Sequence, residues 1–335
     1  MKPVILDIIG VEDHLPILNR EQSKYFDPKY ISINNSYFMQ KRDPNYDRTH
    51  FLKTVVGWDK KGDDGLIFHN FEQHLDRQGL CQSLEIASKL YDKKIMIVDE
   101  PIWSTGRHSE NATNLHENAV SIIKPDLIGY SCLYDGVKSP AKSFYWNNMV
   151  DKYAVFTEPE SRENVIYGGG KEKTHRLAHA PGRARPDSWK LCRDLEKRIE
   201  NLSVHIRHTS GVSNHDPYRE YLNKVLKGTY HYQPVCGYHF HNLRSLVAWF
   251  SGVIPIIHVL DFDCVQWKMH VDHFNIEHGK NCILVNCDDD VFESAVELMK
   301  DKKKINEILE NIKCMDLSKH STTAVSKKIW EVISE

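Results

Sequence analysis

The sequence predicts an α/β protein built as two similar open domains. Two observations carry this. Short apolar runs alternate with helical periods along both halves, the rhythm of a parallel sheet covered on both faces. That rhythm restarts after TEPESREN (157–164), a polar stretch with the proline of a linker. The 335 residues suit one large or two ordinary domains.

In the first half, PVILDII (3–9), YISIN (30–34) and GLIFHN (65–70) read as strands, the last following an Asp-Gly turn signal. LCQSLEIASKLYDKK (80–94) sets Leu84, Ile86, Ala87 and Leu90 on one broad helical face. IMIVDE (95–100) is a short buried strand ending in two carboxylates, Asp99 and Glu100. The helix HENAVSIIKP and the strand DLIGYSC follow. In the second half, NVIYGG, VHIRH, VIPIIHV and CILVNC read as strands. SWKLCRDLEKRIENL (188–202) and LRSLVAWFSG read as helices, and DDDVFESAVELMKD opens on the acidic turn that suits a helix N-terminus. KINEILENIKCMDL and TTAVSKKIWEVISE complete a helical C-terminus. The expected division is 1–160 and 161–320, with 321–335 as a helix packing back on the first domain.

Composition narrows the function classes. The net charge of −2 excludes a globally basic DNA-coating protein. Charge is nevertheless uneven: nine Lys/Arg against four Asp/Glu from Lys171 to Arg198, and six against three from Lys41 to Lys61. Such stretches serve phosphates or are simply solvated faces. No apolar run approaches the ~18 residues that would span a bilayer, and MKPVILDIIG reads as a first buried strand rather than a signal peptide. No membrane partner, a cytoplasmic location and a monomer are expected. Eight cysteines lie scattered without a C-x-x-C pair, and Cys282 and Cys287 read as reduced and structural. His239 and His241, without a placed carboxylate, read as strand or loop rather than metal centre.

Chemistry concentrates in VIYGGGKEKTHR (165–176). Gly168, Gly169 and Gly170 let backbone come close to a bulky ligand and expose N–H donors. Lys171, Lys173, His175 and Arg176 supply cations for a diphosphate. A tight strand exit with solvated lysines explains the same glycines. Later, HNLRSLVAWFSGVIPII carries Asn242, Leu243 and Arg244 into a helix that ends at Gly252 before a buried strand. Ligands of open α/β sheets bind beyond the carboxyl ends of the strands. The glycine turn, Arg244 and the Asp99/Glu100 pair all fall at or near such ends, and two domains face to face would join them in a cleft. The pattern suggests a nucleotide-sugar site. Asp99 offers a general base and Glu100 the alternative; the bland reading is a strand-end pair capping the next turn.

The chain resembles the phage DNA glucosyltransferases that decorate 5-hydroxymethylcytosine, in particular the T-even β-glucosyltransferases. The likeness spans most of the chain at low identity. It is carried by MKPVILDIIG, by the stretch from GLIFHNFEQHL to IMIVDEPIW, by VIYGGGKEKTHR, and by NLRSLVAWFSGVIPII with LDFD. The resemblance implies a GT-B fold of two Rossmann-like domains, a UDP-sugar donor, and inverting transfer to duplex DNA containing hydroxymethylcytosine. It implies Asp99 as catalytic base, Gly169 and Gly170 beside the sugar nucleotide, Arg176 on the diphosphate, and Arg244 before the second-domain helix. Two positions depart from the pattern. Glu172 stands where the family has a second arginine, and Val247 where an acid usually holds the ribose. A divalent metal is compatible with this chemistry, but no dedicated site is expected. A buried base must leave the duplex to react. Lys41, Arg42 and Lys53 form the candidate phosphate-facing surface, with His74, Arg77, Trp103 and Arg107 on candidate DNA-contacting loops. Three other readings share the fold: a glycosyltransferase of glycans or small molecules, an isomerase of nucleotide sugars, and a nucleic-acid-binding module with a degenerate donor site.

Overall fold

The computed structural model describes residues 4–7, 29–32, 65–69, 85, 88–89, 91–98, 109–146, 162–169, 188–207, 227–233, 242–259 and 261–335. These residues form two all-parallel sheets, one of six strands and one of five. The first contains β1 (Val4–Asp7), β2 (Lys29–Ser32), β3 (Gly65–His69), β4 (Lys93–Val98), β5 (Leu127–Tyr130) and β6 (Ser143–Tyr145), in the order β2-β1-β3-β4-β5-β6. The second contains β7 (Glu163–Gly169), β8 (Ser203–Arg207), β9 (Gly228–Gln233), β10 (Ile254–His258) and β11 (Ile283–Val285), in the order β11-β10-β9-β7-β8. The winding is the same in both. The second strand pairs on one side of the first, the third on the other, and the chain then moves outward from the third. That reversal is the topological switch point of a doubly wound sheet.

The helices are α1 (Ser109–Ile123), α2 (Leu133–Val137), α3 (Ser188–Arg198), α4 (Asn242–Phe250), α5 (Val265–Phe274), α6 (Asp289–Lys300), α7 (Lys302–Lys313) and α8 (Thr322–Ser334). The chain divides into two units. The first sheet, α1, α2 and the C-terminal α8 belong to one; the second sheet and α3 to α7 belong to the other.

In the first unit, alternation along the strands assigns the two faces. Ile95, Ile97, Leu127, Phe144 and Trp146 pack with Val325 and Ile329 of α8. Tyr130 turns the other way and meets His116 of α1. Gly129 has no room for a side chain: a Cβ there would lie 2.6 Å from the Phe144 ring and 2.9 Å from Ile97.

In the second unit, α4 is buried from Ser245 to Trp249. Trp249 donates its indole N–H to the Asn281 carbonyl at 2.8 Å. The helix ends on Gly252 with φ 70°. Val253 N–H reaches the Ala248 carbonyl at 2.8 Å and Gly252 N–H the Trp249 carbonyl at 3.0 Å, the paired bonds of a Schellman stop. Asp288 and Asp301 cap α6 and α7 by accepting first-turn amides.

Some expectations need correction. The helix expected over 80–94 does not include its last four residues: Tyr91 and Asp92 are not helical, and Lys93 and Lys94 open β4, paired with Gly65 and Leu66 of β3. The Lys94 amide also donates to the Asp126 carboxylate at 2.7 Å. The helix expected over 188–202 stops at Arg198, and Asn201 turns the chain at φ 58°. β6, β9, α2 and α5 were not anticipated. Cys132, Cys192 and Cys282 are buried and outside any disulfide, and Cys287 and Cys314 are exposed.

Candidate active site

The candidate donor site lies at the carboxyl edge of the second sheet. β7 is flanked by β8 and β9, so the switch point falls between β7 and β9. Gly168 is buried and Gly169 is the last residue of β7. Gly169 is in register with Arg207, the last residue of β8. Arg207 was not among the expected site residues, although it ends an anticipated strand. Gln233 ends β9; it was missed because β9 itself was missed.

Asn242, Leu243 and Arg244 form the first turn of α4. That helix connects two parallel strands, β9 and β10, so its N-terminus lies at the carboxyl edge. A helix N-terminus, with the positive end of its dipole, suits an anion. The buried body of α4, the Trp249 bond and the Gly252 stop fix this turn. Val247 is buried in the core at 5% exposure and has no polar atom to offer a ribose. At the opposite edge, Arg162 ties β7 to its surroundings by donating to the Gly228 carbonyl at 3.1 Å and the Ser251 carbonyl at 2.9 Å. Gly170, Lys171, Lys173 and Arg176 lie outside the described residues.

The first unit presents its own carboxyl edge. β4 is buried from Ile95 to Val98, and Asp99 and Glu100 follow it outside the described residues. β4 and β5 run in register, with Val98 beside Tyr130. The Ser131 amide donates to the Val98 carbonyl at 3.0 Å, and the Trp146 amide to the Tyr130 carbonyl at 2.7 Å. Beneath this edge runs a partly buried polar chain. The Ser139 hydroxyl donates to the Ala141 carbonyl at 2.8 Å and receives the Tyr130 hydroxyl proton at 3.2 Å. The Tyr130 hydroxyl also shares a hydrogen bond with His116 Nε2 at 3.1 Å. Burial pushes His116 down to about 4, so the ring is neutral near pH 7. A parallel pair sits in the second unit, where Tyr232 meets His258 Nδ1 at 3.1 Å and burial lowers His258 to about 4. The DNA-facing candidates Lys41, Arg42, Lys53, His74, Arg77, Trp103 and Arg107 lie outside the described residues. Among the described residues no group of three His, Cys, Asp or Glu could hold a metal, and no helix is long and apolar enough to cross a membrane.

No protein-family model matches the chain, and no curated protein matches it significantly. Solved structures do match. The structure of Anabaena Alr3699/HepE in complex with UDP and glucose aligns over 100% of this chain and 99% of that one, with a TM-score of 0.58 and 12% identity. The spinosyn rhamnosyltransferase SpnG complexed with spinosyn aglycone is more distant, with a TM-score of 0.40 and 11% identity over 99% of this chain and 96% of that one. The likeness to HepE shows the fold, an α/β fold of the GT-B type.

Proposed function

We propose that the chain is a glycosyltransferase that moves a sugar from a UDP-sugar to the hydroxymethyl group of 5-hydroxymethylcytosine in duplex DNA, with inversion. The observation that supports the donor half is topological: the glycine end of β7 and the strand that α4 follows, β9, are neighbours at the switch point of the second sheet. Backbone donors from two elements there suit a diphosphate. The UDP and glucose in the HepE structure, on the same fold, support that reading. The acceptor half rests on the sequence resemblance and on the basic stretch Lys41–Lys61.

The reaction follows from these parts. The acceptor hydroxyl oxygen attacks the anomeric carbon while Asp99 takes its proton. The bond from that carbon to the phosphate oxygen breaks, and its electron pair leaves with UDP. Arg176, Arg244 and the glycine-turn amides hold the charge that develops on the diphosphate. A single displacement inverts the anomeric centre. The cytosine is turned out of the duplex to reach the base.

Thermal unfolding with UDP, UDP-sugars and other nucleotides tests the donor half. A nucleotide at a hundred times its Kd stabilises the protein by about 2.7 kcal/mol. UDP and at least one UDP-sugar are expected to raise Tm, whereas no response to any nucleotide sugar contradicts the proposal and favours a binding module.

A further inference from the structure

The outer strands of the second sheet carry an inference independent of the donor and acceptor readings. In the order β11-β10-β9-β7-β8, β8 pairs with β7 alone and β11 with β10 alone. The outward N–H and C=O groups of an outer strand are a template on which another strand can pair. Among the described residues, each outer strand of this sheet has a side chain seated on that template.

On β8 the covered residue is Val204. Its amide donates to Glu196 Oε1 at 2.9 Å, and its carbonyl accepts from Arg193 Nη1 at 3.3 Å. Both side chains come from α3, and Arg193 Nη1 also donates to Glu196 Oε2 at 2.8 Å. One ion pair therefore covers both backbone groups of one edge residue. On β11 the covered residue is Leu284. The Val259 amide donates to the Val285 carbonyl at 2.9 Å, so Val285 faces β10 and Leu284, one residue earlier, faces outward. The Leu284 amide donates to His278 Nδ1 at 3.0 Å, and His278 Nε2 lies 3.3 Å from the Ser294 hydroxyl of α6. The closure recurs on opposite edges, from different elements and with different residue types, which sets it apart from packing particular to α3.

We propose that the Arg193–Glu196 pair and His278 are edge guards: they occupy backbone groups through which the second sheet would extend by pairing with a second copy of this chain. A second copy is the relevant partner because it carries the same edges at the same concentration. Opening one edge lets that strand pair with its own copy, an isologous contact that closes as a dimer.

The test measures mass by sedimentation as concentration is raised, for wild type, Glu196→Ala, Glu196→Gln, His278→Ala and His278→Asn. Gln and Asn keep an oxygen that can accept the edge amide, and Ala does not. Neither position belongs to the buried core, so the variants are expected to fold. Arg193→Ala repeats the β8 arm from the carbonyl side. Wild type, Glu196→Gln and His278→Asn are expected to stay monomeric. Glu196→Ala and His278→Ala are expected to double in mass at high concentration, with slowed amide exchange at 203–207 and 283–285 respectively. Ala variants that stay monomeric and lose only urea stability reduce these contacts to local ties and overturn the proposal. A wild-type dimer, or a variant dimer with unchanged exchange at these strands, overturns it as well. Association of one Ala variant alone overturns the assignment of the other edge.

Discussion

The last four residues of β4, which precedes Asp99 in the sequence, are all buried. Asp99→Ala is expected to cut transfer by about two to four orders of magnitude while UDP-sugar affinity stays nearly unchanged. Activity within tenfold of wild type would move the role to Glu100. Arg176→Ala and Arg244→Ala are each expected to weaken UDP-sugar binding by about 1.5–3 kcal/mol, read by calorimetry; unchanged affinity in both would displace the donor site. The candidate base and the glycine end of β7 were legible because each closes a short apolar run, and the end of such a run marks a strand end. Arg207 was not. Its interest comes from register with the glycine end of β7, and nothing local in the sequence says which strands become neighbours. The burial of Val247 was equally hidden, because α4 is enclosed from Ser245 to Trp249 and shows no polar face there from which to read an orientation.

Among the elements, two glycines carry specific loads. Gly129→Ala would force a methyl into the Phe144 ring and Ile97 on the α8 face. A loss of about 1–3 kcal/mol is expected in denaturant unfolding. Gly252→Ala should cost about 1 kcal/mol or more, because a left-handed residue closes α4. A neutral result at Gly129 would mean that Phe144 and Ile97 do not close over β5 as described. The strands that apolar runs announced are present within a residue or two at most ends. β9 escaped notice because GTYHYQ is rich in Tyr and His rather than aliphatic residues, although Tyr230 and Tyr232 are buried. α5 escaped because VQWKMHVDHF hides its buried face in Trp267, His270 and Phe274. The helix expected to reach Lys94 ended early because strand pairing overrode the helical preference of two lysines.

For the whole molecule, the identical winding of the two sheets explains why the sequence rhythm repeats without any repeated sequence: the pattern of buried strands is shared, the side chains are not. Three buried histidines set an acid limit. Burial lowers His116 and His258 to about 4, and burial with His273 and Lys319 nearby lowers His320 likewise. Unfolded histidine titrates near 6.5. Above that pH these groups are neutral in both states and leave stability unchanged. As pH falls from about 6.5 towards 4 the unfolded chain binds the extra protons, so stability declines, and below about 4 their contribution levels off. Urea unfolding at pH 7.5, 6 and 4.5 should show this fall; constant stability across the range would contradict the burial of these rings. On the acceptor side, neutralising Lys41, Arg42 and Lys53 together should weaken duplex binding and flatten its salt slope by about one unit per lost phosphate contact, with donor binding unchanged. Mass spectrometry of nucleosides from hydroxymethylated duplex DNA, after incubation with the protein and a panel of UDP-sugars, is the decisive measurement. A hydroxymethylcytosine product heavier by one sugar residue is expected with at least one UDP-sugar and absent with Asp99→Ala. Unmodified hydroxymethylcytosine with every donor in the panel would contradict it.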